Sequence, residues 1–439
     1  HDFLKDELEK EDIKLPGEGQ YGVGMVFLPQ EPNTRYYCEG VFERILKEEG
    51  QELIAWRIVP VNEKACGFSA LNTKPIIKQI FIRIADEDQA EIEKKLYMIR
   101  KRVEKEIIRA SKPYMEAFYI CSLSSKTIVY KGQFLAHQIE EFYFELKNEN
   151  LKSAIAVVHQ RYSTNTFPSW RLAHPYRYIA HNGEINTIKG NVKWMNAREG
   201  EMHSKIFGEE FEKILPIIQP DSSDSCNLDN TFELLIQSGY SMAHAIKMLI
   251  PEAWRYDHNM PDELKAFYEY HEGIMEPWDG PTAVIFTDGV KIGAASDRNG
   301  LRPVRYMVTK DGMMVLASES GVLRVPEEQI QKKGKLGPGK ILLVDINEKI
   351  IKEDSDIKET LSNKGYREWI SANKIDLQQV ELNKKEIHLD KEALIEKQKI
   401  FGYTEEELKR VISPLMQDSK EAIGSMGNDV PLAVLSEKP

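Results

Sequence analysis

The chain is poor in cysteine: four among 439 residues, Cys38, Cys66, Cys121 and Cys226, with no C-x-x-C spacing. That pattern argues against a zinc site, an iron–sulfur cluster or a disulfide framework built from these residues. No metal site is expected. Long hydrophobic runs are also missing; none approaches the ~18 apolar residues of a membrane helix. The residues given carry no signal-peptide pattern and no N-glycosylation acceptor, so a cytoplasmic location is expected. Positive charge is in short supply. A net charge of −11 leaves no electrostatic footprint for nucleic acid or an anionic membrane. What remains is ordinary for a globular protein, 41% hydrophobic and 29% charged, with length for about two to three domains.

The most informative stretch is 159–191, HQRYSTNTFPSWRLAHPYRYIAHNGEINTIKGN. Two strand-like runs, AIAVVHQ (154–160) and YRYIAHN (176–182), flank a loop rich in Ser, Thr, Asn and Pro. Each ends in a polar cluster, Arg161-Tyr-Ser-Thr after the first and Asn182-Gly183-Glu184 after the second. Strands that stop in polar clusters deliver functional groups to a shared site, because function sits on loops held by a rigid scaffold. Asn-Gly is equally a common hairpin turn, and that local reading competes.

Elsewhere, the chain reads as strands gathered in hairpins with helices between them. Strands are expected at 21–29, 53–60 and 76–85, and hairpins at 115–132, 281–297 and 340–353, with further strands at 302–309 and 312–320. Helices are expected near 36–49, 136–147, 187–199 and 228–250. The clearest runs over 87–110, where Ile92, Leu96, Ile99, Val103 and Ile107 recur at three- and four-residue spacing. Beyond about 355 charged helical segments take over, with a boundary near 372. The pattern predicts an α+β layered fold rather than a doubly wound parallel sheet. Gly17–Gly22 fits a dinucleotide fingerprint but precedes a strand instead of following one. Gly334–Lys340 fits most of a phosphate loop, yet Ile341 stands where Ser or Thr should hold Mg²⁺. Both read as turns.

Six segments together resemble one family: HQRYSTNT (159–166), YIAHNGEINT (178–187), SDSCNLDN (223–230), MEPWDGP (275–281), DRNGLRPVRY (297–306) and GSMGNDVP (424–431). They are similar to the class II glutamine amidotransferases, specifically the N-terminal part of the glutamate synthase large-subunit family. The resemblance implies the four-layer αββα sandwich of N-terminal nucleophile hydrolases over residues 1–372. It also implies a linker and the start of a central domain over 373–439. It further implies hydrolysis of L-glutamine to glutamate and ammonia. The ammonia would be channelled to a synthase domain where 2-oxoglutarate is converted to a second glutamate. FMN and an iron–sulfur cluster would belong to that downstream domain and none to these residues, with a small subunit or ferredoxin as electron donor.

The same resemblance assigns site residues. Arg161 would clamp the substrate α-carboxylate, for which a planar guanidinium fork is suited; an ordinary strand-end ion pair is the alternative. Asn182, through its side-chain amide, and Gly183, through its N–H, would form the oxyanion hole. Asp224 would accept from the α-ammonium, or cap the helix that follows, with a neighbour able to take the second role. His159 and His181 are expected to support the pocket by packing and hydrogen bonding. The family nucleophile is an N-terminal cysteine whose own α-amine is the base. No such residue stands here, and Cys66, in Cys66-Gly67-Phe68, only imitates it. The chain opens at His1 and closes on a strand-like run, so it is expected to be a piece of a longer polypeptide that is inactive and marginally soluble alone. A glutamine-binding regulatory module, or another class II amidotransferase, is the competing expectation.

Overall fold

The computed structural model describes residues 1–84, 88–110, 115–162, 166–219, 222–377 and 389–422. The chain divides into two units, His1–Asn373 and Lys374–Pro439. In chain order the first holds α1 (Asp2–Glu9), β1 (Tyr21–Leu28), α2 (Pro32–Glu48), β2 (Glu52–Ile58), α3 (Phe68–Asn72), β3 (Ile76–Arg83), α4 (Gln89–Ala110) and β4 (Tyr119–Ser124). There follow α5 (Ile139–Phe142), β5 (Ile179–Gly183), α6 (Ile188–Glu199), α7 (Asp224–Gln237), α8 (Met242–Leu249) and α9 (Asp262–Glu272). The series ends with β6 (Thr282–Thr287), β7 (Lys291–Ser296), β8 (Val304–Thr309), β9 (Met314–Ala317), β10 (Ile330–Leu336), β11 (Ile341–Asp345), β12 (Ile350–Lys352), α10 (Asp354–Ser362) and α11 (Tyr366–Asn373).

The strands form three sheets with antiparallel pairing. Their orders are β2-β3-β1-β4, β12-β11-β7-β6-β5 and the small β10-β8-β9. The fold is α+β. In the first sheet Val26, Leu28, Ile80 and Ile82 pack beneath α2 and α4, whose stripe Ile92, Leu96, Ile99, Val103 and Ile107 is buried as its spacing predicts. In the second, Val284, Phe286, Ala295, Ile341 and Leu343 meet Phe232, Ile246 and Phe267 of α7, α8 and α9. Each of these two sheets is thus covered by helices on one face. On its other face the first sheet buries Met25, Phe27 and Cys121 against Phe142, Tyr143 and Trp170. The second buries Ala283, Ala294 and Leu342 against Val304 and Leu336 of the small sheet. Helix α4 joins the two cores, because Tyr97 and Met98 lie in the cluster of α7 while the stripe lies under α2.

Three expectations are corrected. Residues 154–160 form no strand; they run without ladder partners, and alternate residues are exposed. An apolar run needs a neighbouring backbone to become a strand, and no strand lies beside this one among the described residues. Residues 126–132 likewise fail to complete a hairpin with β4; the Val129 N–H is taken by the Ser122 hydroxyl at 3.1 Å instead of a backbone carbonyl. The helix expected at 228–250 is two helices, interrupted at Ser238-Gly239, where Gly239 has φ +92°. Two further elements, α9 and β10, stand where the sequence pattern marks neither helix nor strand.

In the second unit, α12 (Lys391–Ile400) is capped by Asp390, whose carboxylate accepts the Ala393 N–H at 2.8 Å. GSMGNDVP lies outside the described residues, as do Ser163, Thr164 and Asn165 of HQRYSTNT. No helix among the described residues is long and apolar enough to cross a membrane.

Candidate active site

Helix α7 places the polar groups of the site. Its residues from Asp224 to Leu235 are all buried, including Asp224, Ser225, Asn227, Asp229, Asn230 and Glu233. A helix buried all round must satisfy its polar face internally, and here that face is used twice. At its first turn it meets the end of β5. One to three turns on, it joins a cluster of ions.

The N-cap is Ser223, whose Oγ accepts the Cys226 N–H at 3.0 Å. Asp224 is therefore spared capping. Its Oδ2 accepts the Ile185 N–H at 3.1 Å and its Oδ1 the Ser225 N–H at 2.7 Å. The carboxylate thus holds the backbone just beyond Gly183. His181 comes to the same place: its Nδ1 is 2.8 Å from Ser225 Oγ. Burial pushes the His181 imidazole down to about 4, although the nearby Asp224 carboxylate opposes this. The ring is neutral near pH 7.

Asn182-Gly183 is not a hairpin turn. Both residues are in register with β6, Asn182 opposite Ala283 and Gly183 opposite Thr282. The Glu184 N–H donates to Pro281 O at 3.1 Å, so alternation along the strand turns the Gly183 N–H away from β6. Because β5 is the edge strand of its sheet, that N–H points off the open edge. Asn182 Nδ2 donates to Ser318 Oγ, just past β9, at 3.0 Å. Glycine is required at 183: φ is +134°, and a Cβ would lie 1.8 Å from Pro281 O. Gly280 is equally constrained, its Cβ position falling 1.9 Å from Glu184 O. Asp297 fixes the other side of the loop, accepting the Thr282 N–H at 3.1 Å and the Arg302 N–H at 3.2 Å.

Arg161 lies in an adjoining cleft of about 100 Å³ with Lys131, Phe134, Val158, His159 and His174. Its side chain is exposed, and its backbone N–H donates to His159 Nδ1 at 3.1 Å. His159 stacks on His174 with ring centroids 4.2 Å apart and also meets the backbone of His181. That contact links the cleft to β5. Thus Asp224 braces the backbone two residues beyond Gly183, the Asn182 side chain lies on the opposite face of the sheet, and Arg161 is linked to β5 by its backbone N–H through His159.

The sequence reading missed Lys131. Its Nζ donates to Arg171 O at 2.9 Å and sits 4.5 and 4.7 Å from the ring centroids of Tyr119 and Tyr176. Burial pulls it down to about 8. A lysine inside the aromatic run VYKGQF was its only signal. Burial raises the Cys66 and Cys226 thiols, and Cys121 to about 12, so none of these three is an activated nucleophile.

The sequence profile described as "Glutamine amidotransferases class-II" matches residues 1–369. The chain belongs to that family. A second profile, "Glutamate synthase central domain", matches residues 396–439. The "Glutamate synthase [NADPH] large chain" of Bacillus subtilis is 45% identical over 433 residues, 98% of this chain and 28% of the relative. A "Ferredoxin-dependent glutamate synthase 2" of Synechocystis is 41% identical over 433 residues, 98% of this chain and 27% of that protein. This amidotransferase chain thus spans little more than a quarter of the relatives it matches. A solved class-II glutamine aminotransferase domain protein from Silicibacter pomeroyi shares 17% identity at TM-score 0.24, covering 40% of this chain and 66% of its own. That likeness is too distant to inform the site.

Proposed function

We propose that this chain is the glutamine-hydrolysing part of a glutamate synthase, releasing glutamate and ammonia from L-glutamine. One observation carries the reading. The Gly183 N–H points off an open sheet edge beside the Asn182 amide, while Asp224 braces the turn that follows. Two N–H donors fixed at a strand end are what a tetrahedral intermediate of acyl transfer needs where its oxyanion develops. Arg161 supplies the α-carboxylate clamp from the adjoining cleft, where Lys131 adds a second cation and the histidines stay neutral. Asp224 supplies the negative charge for the α-ammonium. The nucleophile is the thiolate of an N-terminal cysteine in the native polypeptide, its α-amine taking the proton.

The ammonia is passed to a synthase domain that combines it with 2-oxoglutarate. The four cysteines do not fit an iron–sulfur cage: all are free thiols, with Cys38, Cys121 and Cys226 in three different core clusters. We assign the cluster, and FMN with it, to the synthase domain of such an enzyme. The electron donor is a nicotinamide-dependent small subunit or ferredoxin. Incubating the native polypeptide with L-glutamine and following ammonia tests the reading. Arg161→Ala should raise KM for glutamine at least tenfold with little change in kcat, as loss of a ground-state clamp does. An unchanged KM would sink the assignment of Arg161.

A further inference from the structure

The Asn182 carboxamide has its rotation set by a hydroxyl from another sheet. Asn182 faces away from α7, on the same side of the second sheet as its partner Ala283, which packs into the cluster beneath the small sheet. There Asn182 Nδ2 meets Ser318 Oγ at 3.0 Å. Ser318 directly follows β9, which pairs with β8 along Arg305–Val308. The β8 strand is anchored in turn through Val304 to the sheet that carries Asn182. The hydroxyl therefore stands on the same framework as the strand it contacts, not on a free loop.

We propose that Ser318 is a positioning residue for glutamine hydrolysis, holding one N–H of Asn182 so that its other N–H is presented beside the Gly183 N–H. The inference rests on the assignment of Asn182 as an oxyanion donor. A planar amide has one soft torsion between its group and the backbone-fixed Cβ, and a terminal torsion of this kind is broad when nothing holds it. Fixing one N–H fixes the direction of the second, about 120° away in the same plane. Ser318 makes no claim on the reacting atoms; it acts through Asn182. A misplaced catalytic group costs rate steeply, up to about 10²-fold per ångström. Substrate affinity is set elsewhere, by Arg161 and Asp224. The expected signature is accordingly a fall in kcat at constant KM.

The test uses the native polypeptide with glutaminase rate as readout. Ser318→Ala should lower kcat about tenfold and leave KM for glutamine within twofold of the parent. Ser318→Thr, which keeps the hydroxyl, should restore at least half of the rate. Asn182→Ala, measured alongside, should lower kcat by about 10²-fold. In the Asn182→Ala background, removal of the Ser318 hydroxyl should have no further effect, because the two act as one unit. A full rate in Ser318→Ala beside a slowed Asn182→Ala overturns the role of Ser318 and leaves the oxyanion assignment standing. An unslowed Asn182→Ala overturns that assignment, and Ser318 with it. Ser318 is only partly buried, so loss of folding is not the expected outcome of Ser318→Ala. Equal losses in Ser318→Ala and Ser318→Thr would show a packing role and also overturn the proposal.

Discussion

At the scale of single residues, the first turn of α7 separates two tasks that its sequence left merged. Ser223 caps, and its Oγ also meets Tyr176 Oη at 2.7 Å; Asp224 holds the Ile185 N–H. Ser223→Ala should therefore lower stability by about 1 kcal/mol, the usual worth of a cap, and leave KM for glutamine unchanged. A urea titration beside a kinetic assay would check both halves, and a raised KM would show that the division is wrong. Which residues could be read in advance follows from distance along the chain. Asn182-Gly183 and Asp224 sit in short polar clusters at element ends, so local pattern and family resemblance both mark them. Ser318 lies far along the chain from Asn182, in a stretch that reads only as the end of a strand. Lys131 looks like a surface lysine until two tyrosine rings close over it.

At the scale of elements, α8 and α9 are joined by a pair of histidines. His244 Nε2 and His271 Nε2 lie 2.8 Å apart, and His271 Nδ1 is 2.6 Å from Phe267 O. The Phe267 carbonyl can only accept, so His271 carries its proton on Nδ1 and accepts at Nε2 from the His244 N–H. Both rings are thus neutral. Burial pushes His244 down to about 3 and His271 to about 4, each also disfavoured by Lys364. In the unfolded chain the same groups titrate near 6.5. Below that pH the unfolded state binds more protons, so stability is full above about 6.5 and is lost as pH falls towards about 4. In His271→Gln the slope of stability against pH over this window should shrink by up to ~1.4 kcal/mol per pH unit. Denaturant midpoints at pH 7, 6 and 5 would show it, and parallel pH curves for parent and variant would refute the pairing. No sequence pattern announces this contact, because the partners stand on different helices. The strands that were legible, β1 to β9 with β11 and β12, are those whose apolar runs found partners. Residues 154–160 carried the same pattern without one.

At the scale of the whole molecule, the two helix–sheet halves are joined by charge as well as by the shared faces of α4. Arg100 of α4 donates to Glu104 at 2.8 Å and to Glu233 of α7 at 2.5 Å. Arg177, just before β5, donates to Glu233 at 3.0 Å, pairs with Asp229 at 3.2 Å and reaches Tyr119 Oη of β4 at 3.3 Å. All the charged members are buried. Burial works against the Arg177 charge, and the carboxylates around it outweigh that cost. Arg177→Ala leaves Asp229 and Glu233 short of a partner in the interior, and should cost about 3–5 kcal/mol. An unfolding titration in which this variant loses less than about 1 kcal/mol would show the cluster to be incidental to the join. The loops at the site meet under a different constraint. Gly183 and Gly280 each press a bare Cα against a carbonyl of the opposite segment, at Pro281 and Glu184. Neither position has room for even one added carbon, so neither can be varied separately or by stages. Drift among descendants of this chain is therefore expected to leave both letters untouched, while Gly40 and Gly190, with open space around them, are free to change.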